Sequence, residues 1–318
     1  MISVIVPTNR IGGLDVLFDS LAQQTYRNFE LIVVDAIRNW RVSRELGIAN
    51  GNKYFGAAGS VRYILTKPRS DPFPRVAYCE AVNSGIAHAR GDVILLACDF
   101  TWFRPDCLET HAALQAQHRA PVMLDYDYRA LPPLAPAFEP YAQKLHASDD
   151  GYADELNATT ARYCADLASG KLNPLMWSIF EKPLTDDTVS ALDITHKHLP
   201  CSVRELNDWN WCSFKNESFP TELFLDMNGL DEAYDESHCY QDQEFSYRLR
   251  ERGIKWVSGP PGTGMVSVID PRPVLNVKQL KKPISWNKAL CEDIRVASKR
   301  LPVNPEFNLR EERARLLA

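Results

Sequence analysis

The sequence predicts an α/β fold, a mostly parallel sheet flanked by helices. Two observations carry that prediction. Short β-branched runs at Ile2–Val6, Phe29–Val34 and Val93–Ala97 alternate with segments whose apolar residues recur at helical spacing. The strand runs are also close to continuously apolar, the pattern of strands covered on both faces by crossover helices. The composition allows it: 318 residues, 45% hydrophobic and 24% charged, suffice for a sizeable core and exclude wholesale disorder.

Taken in order, Ile2–Val6 forms the first strand and Pro7 ends it. Leu14, Leu17, Phe18 and Leu21 place an amphipathic helix over Asp15 to Gln24. Phe29–Val34 is the second strand, closing on Asp35, and Val61–Leu65 the third. Val76, Cys79, Val82 and Ile86 predict a helix from Arg75 to Ala89, which Gly91 ends. Val93–Ala97 leads to Asp99, and a helix from Leu108 to Gln117 precedes a strand at Val122–Leu124. Prolines 132, 133, 136 and 140 make the next stretch a loop. Residues 148–200 read as an insertion of helices and loops, with Ser148-Asp149-Asp150 as a helix start. The expected organisation is a domain over 1–260, with halves at 1–110 and 111–260, and a helical C-terminal extension over 261–318.

Lys and Arg number 36 against 41 Asp and Glu, a net charge of −5, which disfavours a bulk nucleic-acid binder. No apolar stretch approaches the ~20 residues of a membrane span. No basic segment precedes Ile2, so a cytoplasmic location is expected. Eight cysteines without a CxxC pair read as reduced, mostly buried thiols. Lys278–Arg300 holds seven Lys/Arg and two Asp/Glu. This stretch is either a solvated helix face or a contact for a protein partner or an anionic membrane surface.

Parallel sheets bind ligands beyond the carboxyl ends of their strands. Pro7-Thr8-Asn9-Arg10, Asp35 and Asp99 all fall at such ends. Together they predict a nucleotide site. A second concentration of polar residues runs from Asn216 through Asn228-Gly229-Leu230-Asp231-Glu232 to Tyr240-Gln241-Asp242-Gln243-Glu244 and Arg248.

That segment, the opening Val4-Ile5-Val6-Pro7-Thr8, the run from Leu21 to Asp35, and Asn83-Ser84-Gly85 followed by Gly91-Asp92 resemble the large inverting glycosyltransferase family 2, which has the GT-A (Rossmann-like) fold. The resemblance covers about 1–110 and 210–258 and keeps the order of motifs. It implies a hexosyl- or pentosyltransferase of carbohydrate biosynthesis. The donor would be a nucleotide sugar, UDP-linked, and the acceptor a saccharide, lipid-linked or other hydroxyl. The donor side would be lined by Pro7, Thr8, Asp35, Asn83 and Asp99, with Asp35 able to accept the imide N–H of uracil. The family's aspartate pair holds a divalent metal, Mn²⁺ or Mg²⁺. Here Asp99 matches the metal position and Phe100 stands where the second carboxylate is expected, while Ala36 follows Asp35.

Inverting transfer is a single displacement that needs a carboxylate base beside the acceptor hydroxyl. The resemblance assigns Asp242, preceded here by Gln241 rather than Glu. A helix start at this point would favour an ionised carboxylate. The alternatives are that Asp242 is merely a helix cap, and that Glu244 is the base. Trp209, Trp211, Asn216 and Gln241 are the expected acceptor contacts, and His238 a candidate for metal or phosphate. Two other readings stay open: a non-catalytic nucleotide- or sugar-binding relative, and a glycosyltransferase acting on modified DNA bases.

Overall fold

The computed structural model describes residues 1–8, 14–35, 60–65, 78–130, 169, 185–192, 194–198, 212–237, 239–269, 284–297 and 303–318. Its main sheet has seven strands. Four of them, β1 (Ile2–Thr8), β2 (Phe29–Asp35), β3 (Ser60–Leu65) and β4 (Val93–Leu96), are parallel neighbours in the order β3-β2-β1-β4. Beyond β4 the sheet continues through β9 (Glu217–Pro220), β6 (Val122–Met123) and β10 (Val257–Ser258). β9 runs antiparallel to both β4 and β6.

Side-chain alternation splits the core into two layers. Ile2, Val4, Val6, Leu31, Val33 and Leu95 point to one face, where α1 (Leu14–Ala22) and α3 (Cys107–His118) cover them with Leu17, Phe18, Leu21 and Leu108. Ile5, Ile32, Val34, Ile94 and Leu96 point to the other. There α2 (Tyr78–His88), α5 (Thr221–Asp226), α6 (Gln241–Glu251), α7 (Ile284–Ala297) and α8 (Leu309–Leu317) contribute Val82, Ile86, Phe224, Phe245, Cys291 and Leu309. Strands buried on both faces are the reason the sequence shows near-continuous apolar runs.

A second sheet has the order β5-β11-β7-β8, from β5 (Thr101–Phe103), β11 (Met265–Ile269), β7 (Tyr126–Ala130) and β8 (Ile194–His198). It adds strands to two stretches expected to be helical or loop. The described part of the 148–200 insertion is a short helix, α4 (Asp186–Ser190), followed by a strand. The extension after 260 begins with a strand as well, because β11 bridges β5 and β7. The C-terminal helix α8 packs on α2 and buries Leu309.

The 131–150 segment, including the prolines and Ser148, lies outside the described residues. The six described cysteines are free thiols, four of them buried. Among the described residues, no helix is long and apolar enough to cross a membrane.

Candidate active site

Thr8 and Asp99 meet at the carboxyl edge of the main sheet. β1 ends at Thr8, whose Oγ1 donates to Asp99 Oδ2 at 2.9 Å, and both residues are buried. The parallel register sets the backbone of Asp35 beside Thr8, so three of the strand-end positions form one line across β2, β1 and β4. Pro7 precedes Thr8 in the strand. Immediately after Asp99 the chain turns left-handed at Phe100 (φ 56°), which is buried in the core at 1% exposure. A bulky residue in this region is strained, and such strain collects at functional turns.

Where a second carboxylate would help to hold a divalent metal, an aromatic ring is sunk in the core. Among the described residues, no group of three His, Cys, Asp or Glu gathers around one point. One carboxylate does not fit a protein-only cage for Mg²⁺ or Mn²⁺, which prefer several oxygen ligands.

The far wall comes from β9 and α6. Because β9 is antiparallel, its first residue, Glu217, lies at the carboxyl edge opposite Leu96 and Met123. Glu217 is buried and gathers the turn before it. Its carboxylate accepts from Ser213 N (2.7 Å), Ser213 Oγ (2.9 Å), Phe214 N (2.8 Å) and Cys212 Sγ (3.1 Å). Burial raises its pKa against the lowering effect of those bonds. The turn then reaches two helices. Cys212 N donates to Ser246 Oγ of α6 at 3.0 Å, and the ring of Tyr78, at the start of α2, stacks on Phe214 at 5.7 Å.

Asp242 occupies the first turn of α6, half-buried, with Gln241 before it. Gln243 N donates to Asp242 Oδ1 at 2.9 Å. Burial, then Glu217, and then the charge of Asp242 push the Cys212 thiol up. The two residues before α6, Cys239 and Tyr240, are both left-handed (φ 68° and 72°).

Two predicted contacts are engaged in hydrogen bonds within the fold. Asn216 is wholly buried, and its amide is engaged on every side. Nδ2 donates to Asp125 O (2.9 Å), while Oδ1 accepts from His111 Nε2 (3.1 Å) and Cys107 Sγ (3.4 Å). It is an internal bracket. Asn83 is equally committed, with Nδ2 on Leu230 O (2.9 Å) and Glu232 Oε1 (3.0 Å), and Oδ1 accepting from Leu230 N (2.8 Å). It secures a turn.

Glu244 is buried and paired with Arg248, whose Nη2 donates to Oε2 at 2.9 Å. Trp209, Trp211 and His238 lie outside the described residues. Glu217 and Tyr78 escaped the sequence reading. Glu217 stands inside the polar Asn216–Glu232 run, but only an antiparallel β9 brings it to this edge.

A mostly parallel sheet with helices on its outer faces, an antiparallel strand beside β4 and polar groups along the carboxyl edge define a glycosyltransferase-type fold of the GT-A class. The sequence matches no protein-family profile and no curated protein. Solved structures share the fold. The structure of S. aureus TarS 1-349 in complex with UDP-GlcNAc aligns at a TM-score of 0.52 and 14% identity, over 99% of this chain and 71% of that one. TarS 1-349 in complex with UDP gives 0.51 and 14%, over 99% and 70%. At this identity the likeness is one of fold.

Proposed function

We propose that this chain transfers a sugar from a UDP-linked donor to an acceptor hydroxyl by inverting single displacement. The observation that carries the reading is the buried Thr8–Asp99 hydrogen bond, which ties the ends of β1 and β4 together at the edge where such sheets bind nucleotides. The fold it sits in is shared with a protein solved in complex with UDP and UDP-GlcNAc, which supports the choice of donor.

In this reading Asp99, oriented by Thr8, holds the donor, and Asp35 at the next strand end accepts from the uracil imide. Asp242 takes the acceptor proton as the acceptor oxygen bonds to the anomeric carbon. The bond from that carbon to the diphosphate breaks on the opposite face, and its electron pair leaves with UDP. Gln241 is the acceptor contact beside the base. No step is routed through a metal, because Asp99 is the single carboxylate at the expected position.

The test is calorimetric titration of UDP and UDP-GlcNAc, followed by UDP release over a panel of hydroxyl acceptors. Binding that Asp99→Ala weakens, with turnover that Asp242→Asn removes, is expected. Phe100 in place of a carboxylate favours one rival, a binding module. Its signature is UDP-GlcNAc binding with no UDP release under any condition. DNA-base glycosylation has only the basic 278–300 stretch behind it.

A further inference from the structure

The turn Met227–Glu232 is held by side chains from three distant parts of the chain. Asn83 of α2 takes both the N–H and the C=O of Leu230. Arg248 of α6 donates to Met227 O (2.8 Å) and Gly229 O (2.9 Å). Asn304, far along the chain, donates to Asn228 O (2.9 Å) and Leu230 O (2.8 Å) and accepts from Glu232 N (2.9 Å).

Asn228 returns the contact. Its Nδ2 donates to Val303 O (2.8 Å), Asn304 O (3.3 Å) and Phe307 O (2.9 Å), and its Oδ1 accepts from Leu309 N (2.8 Å). Both asparagines are left-handed (φ 54° and 52°), as the residue type tolerates. Gly229 between them has φ 76°, and a Cβ there would run into Asn83 Oδ1.

This bracket holds α6 as well as the C-terminus. Arg248, which grips both carbonyls flanking Asn228, also pairs with Glu244 on the helix that carries Asp242. Asp242 lies about 9 Å up the axis from Arg248.

We infer that Asn304 is a positioning residue for the transfer reaction: the 303–309 segment fixes the 227–232 turn, and the turn fixes α6 and its Asp242. The inference rests on the proposed role of Asp242.

The test uses the full chain and Asn304→Asp, which keeps size and the acceptor for Glu232 N but loses both donated bonds. Asn304→Ser serves if that variant does not fold. The first readout is hydrogen–deuterium exchange. Amides of 241–251 should exchange at least tenfold faster, with those of β1 and β4 unchanged. The second is UDP release from UDP-GlcNAc: kcat should fall about tenfold or more, with KM for UDP-GlcNAc within about twofold, since misplacing a reacting group by 1 Å can cost roughly 10²-fold. Arg310→Ala, which removes the surface bridges to Glu222 and Asp226 from the same segment, should leave both readouts alone. Faster exchange confined to 226–232 and 303–317, with α6 as slow as in the parent chain, overturns the inference. So does an unchanged kcat. If the parent chain releases no UDP, the proposed function fails, and the exchange arm still decides whether Asn304 holds α6.

Discussion

His111 offers the sharpest quantitative test of how the wall of the site is held. It is fully buried on α3, with Nδ1 2.8 Å from Ser218 Oγ and Nε2 3.1 Å from Asn216 Oδ1. The amide oxygen of Asn216 can only accept, so Nε2 carries the proton and Nδ1 accepts from Ser218. Gln115 Nε2 completes the chain by donating to Ser218 Oγ at 3.0 Å. Burial pushes the imidazole pKa down from its usual 6.5 to about 4.

Between those values the unfolded chain binds a proton that the folded chain refuses. Stability from this site is therefore complete above pH 6.5 and lost as pH falls toward 4. The gap, at ~1.4 kcal/mol per pH unit, is worth about 3 kcal/mol. Burial raises Glu217 and Glu244, so they favour the folded state as pH falls, opposite in sign to His111. A comparison with His111→Gln cancels them, since that variant keeps both carboxylates and cannot charge. Urea unfolding followed by tryptophan fluorescence at a series of pH values should show the parent chain losing about 3 kcal/mol relative to the variant between pH 7.5 and 4. A difference between the two that stays flat across that range would refute the buried, neutral imidazole.

Four further outcomes follow from the site. Asp99→Ala should weaken UDP binding in calorimetry at least tenfold, and more than Asp242→Ala does; equal affinities would separate Asp99 from the donor. Asp242→Asn should lower kcat by ~10²–10⁴-fold with donor binding unchanged, whereas near-full turnover at saturating acceptor would remove it as the base. Gly229→Ala forces a side chain into a left-handed position against Asn83 and should cost about 1–2 kcal/mol or more in denaturant unfolding, and an unchanged midpoint would contradict that geometry. Mn²⁺ titrated into the nucleotide-free chain should bind weakly, with affinity rising once UDP is present; tight binding without nucleotide would mean further ligands stand near Asp99.

The parallel half of the fold was legible because its chemistry is repetitive. Ile2–Val6 and Phe29–Val34 are buried on both faces, so each needs one apolar residue after another, and α1 shows its stripe at Leu14, Leu17, Phe18 and Leu21. Two short strands were not legible, β5 of the second sheet and β9 of the main sheet. β5 is three residues long and follows a left-handed turn, and β9 starts at a buried glutamate preceded by a buried asparagine. Around β9 the local sequence reads as polar loop, whereas β5 is aromatic but too short to show a strand period. The polar motif positions were recognisable as special, yet their sequence could not tell chemistry from architecture. Asn83 and Asn216 are special because buried backbone groups need partners, and a short side chain with a donor and an acceptor supplies them. Thr8 and Asp99 are special because two strand ends meet there.

The same distinction separates the two carboxylates of α6. Both lie in its first turn, so position along the helix gives no preference. Packing does. Glu244 is 1% exposed, burial raises its pKa, and the Arg248 guanidinium on its inner side opposes the rise. Its charge is thus consumed by a partner that also grips Met227 and Gly229. Moving a proton onto it would leave that guanidinium buried without its counter-charge, a loss that costs about 3–5 kcal/mol when one member of a buried pair is removed. A base working through that residue would loosen its own helix at every turnover. Asp242 is half-buried and accepts from the adjacent amide of Gln243. Asp242, outside the Arg248–Glu244 pair, is the proposed base. Glu244→Gln should therefore register first as lost stability and only through it as lost rate, and a stable Glu244→Gln protein with kcat reduced a hundredfold would reverse the assignment of the two residues.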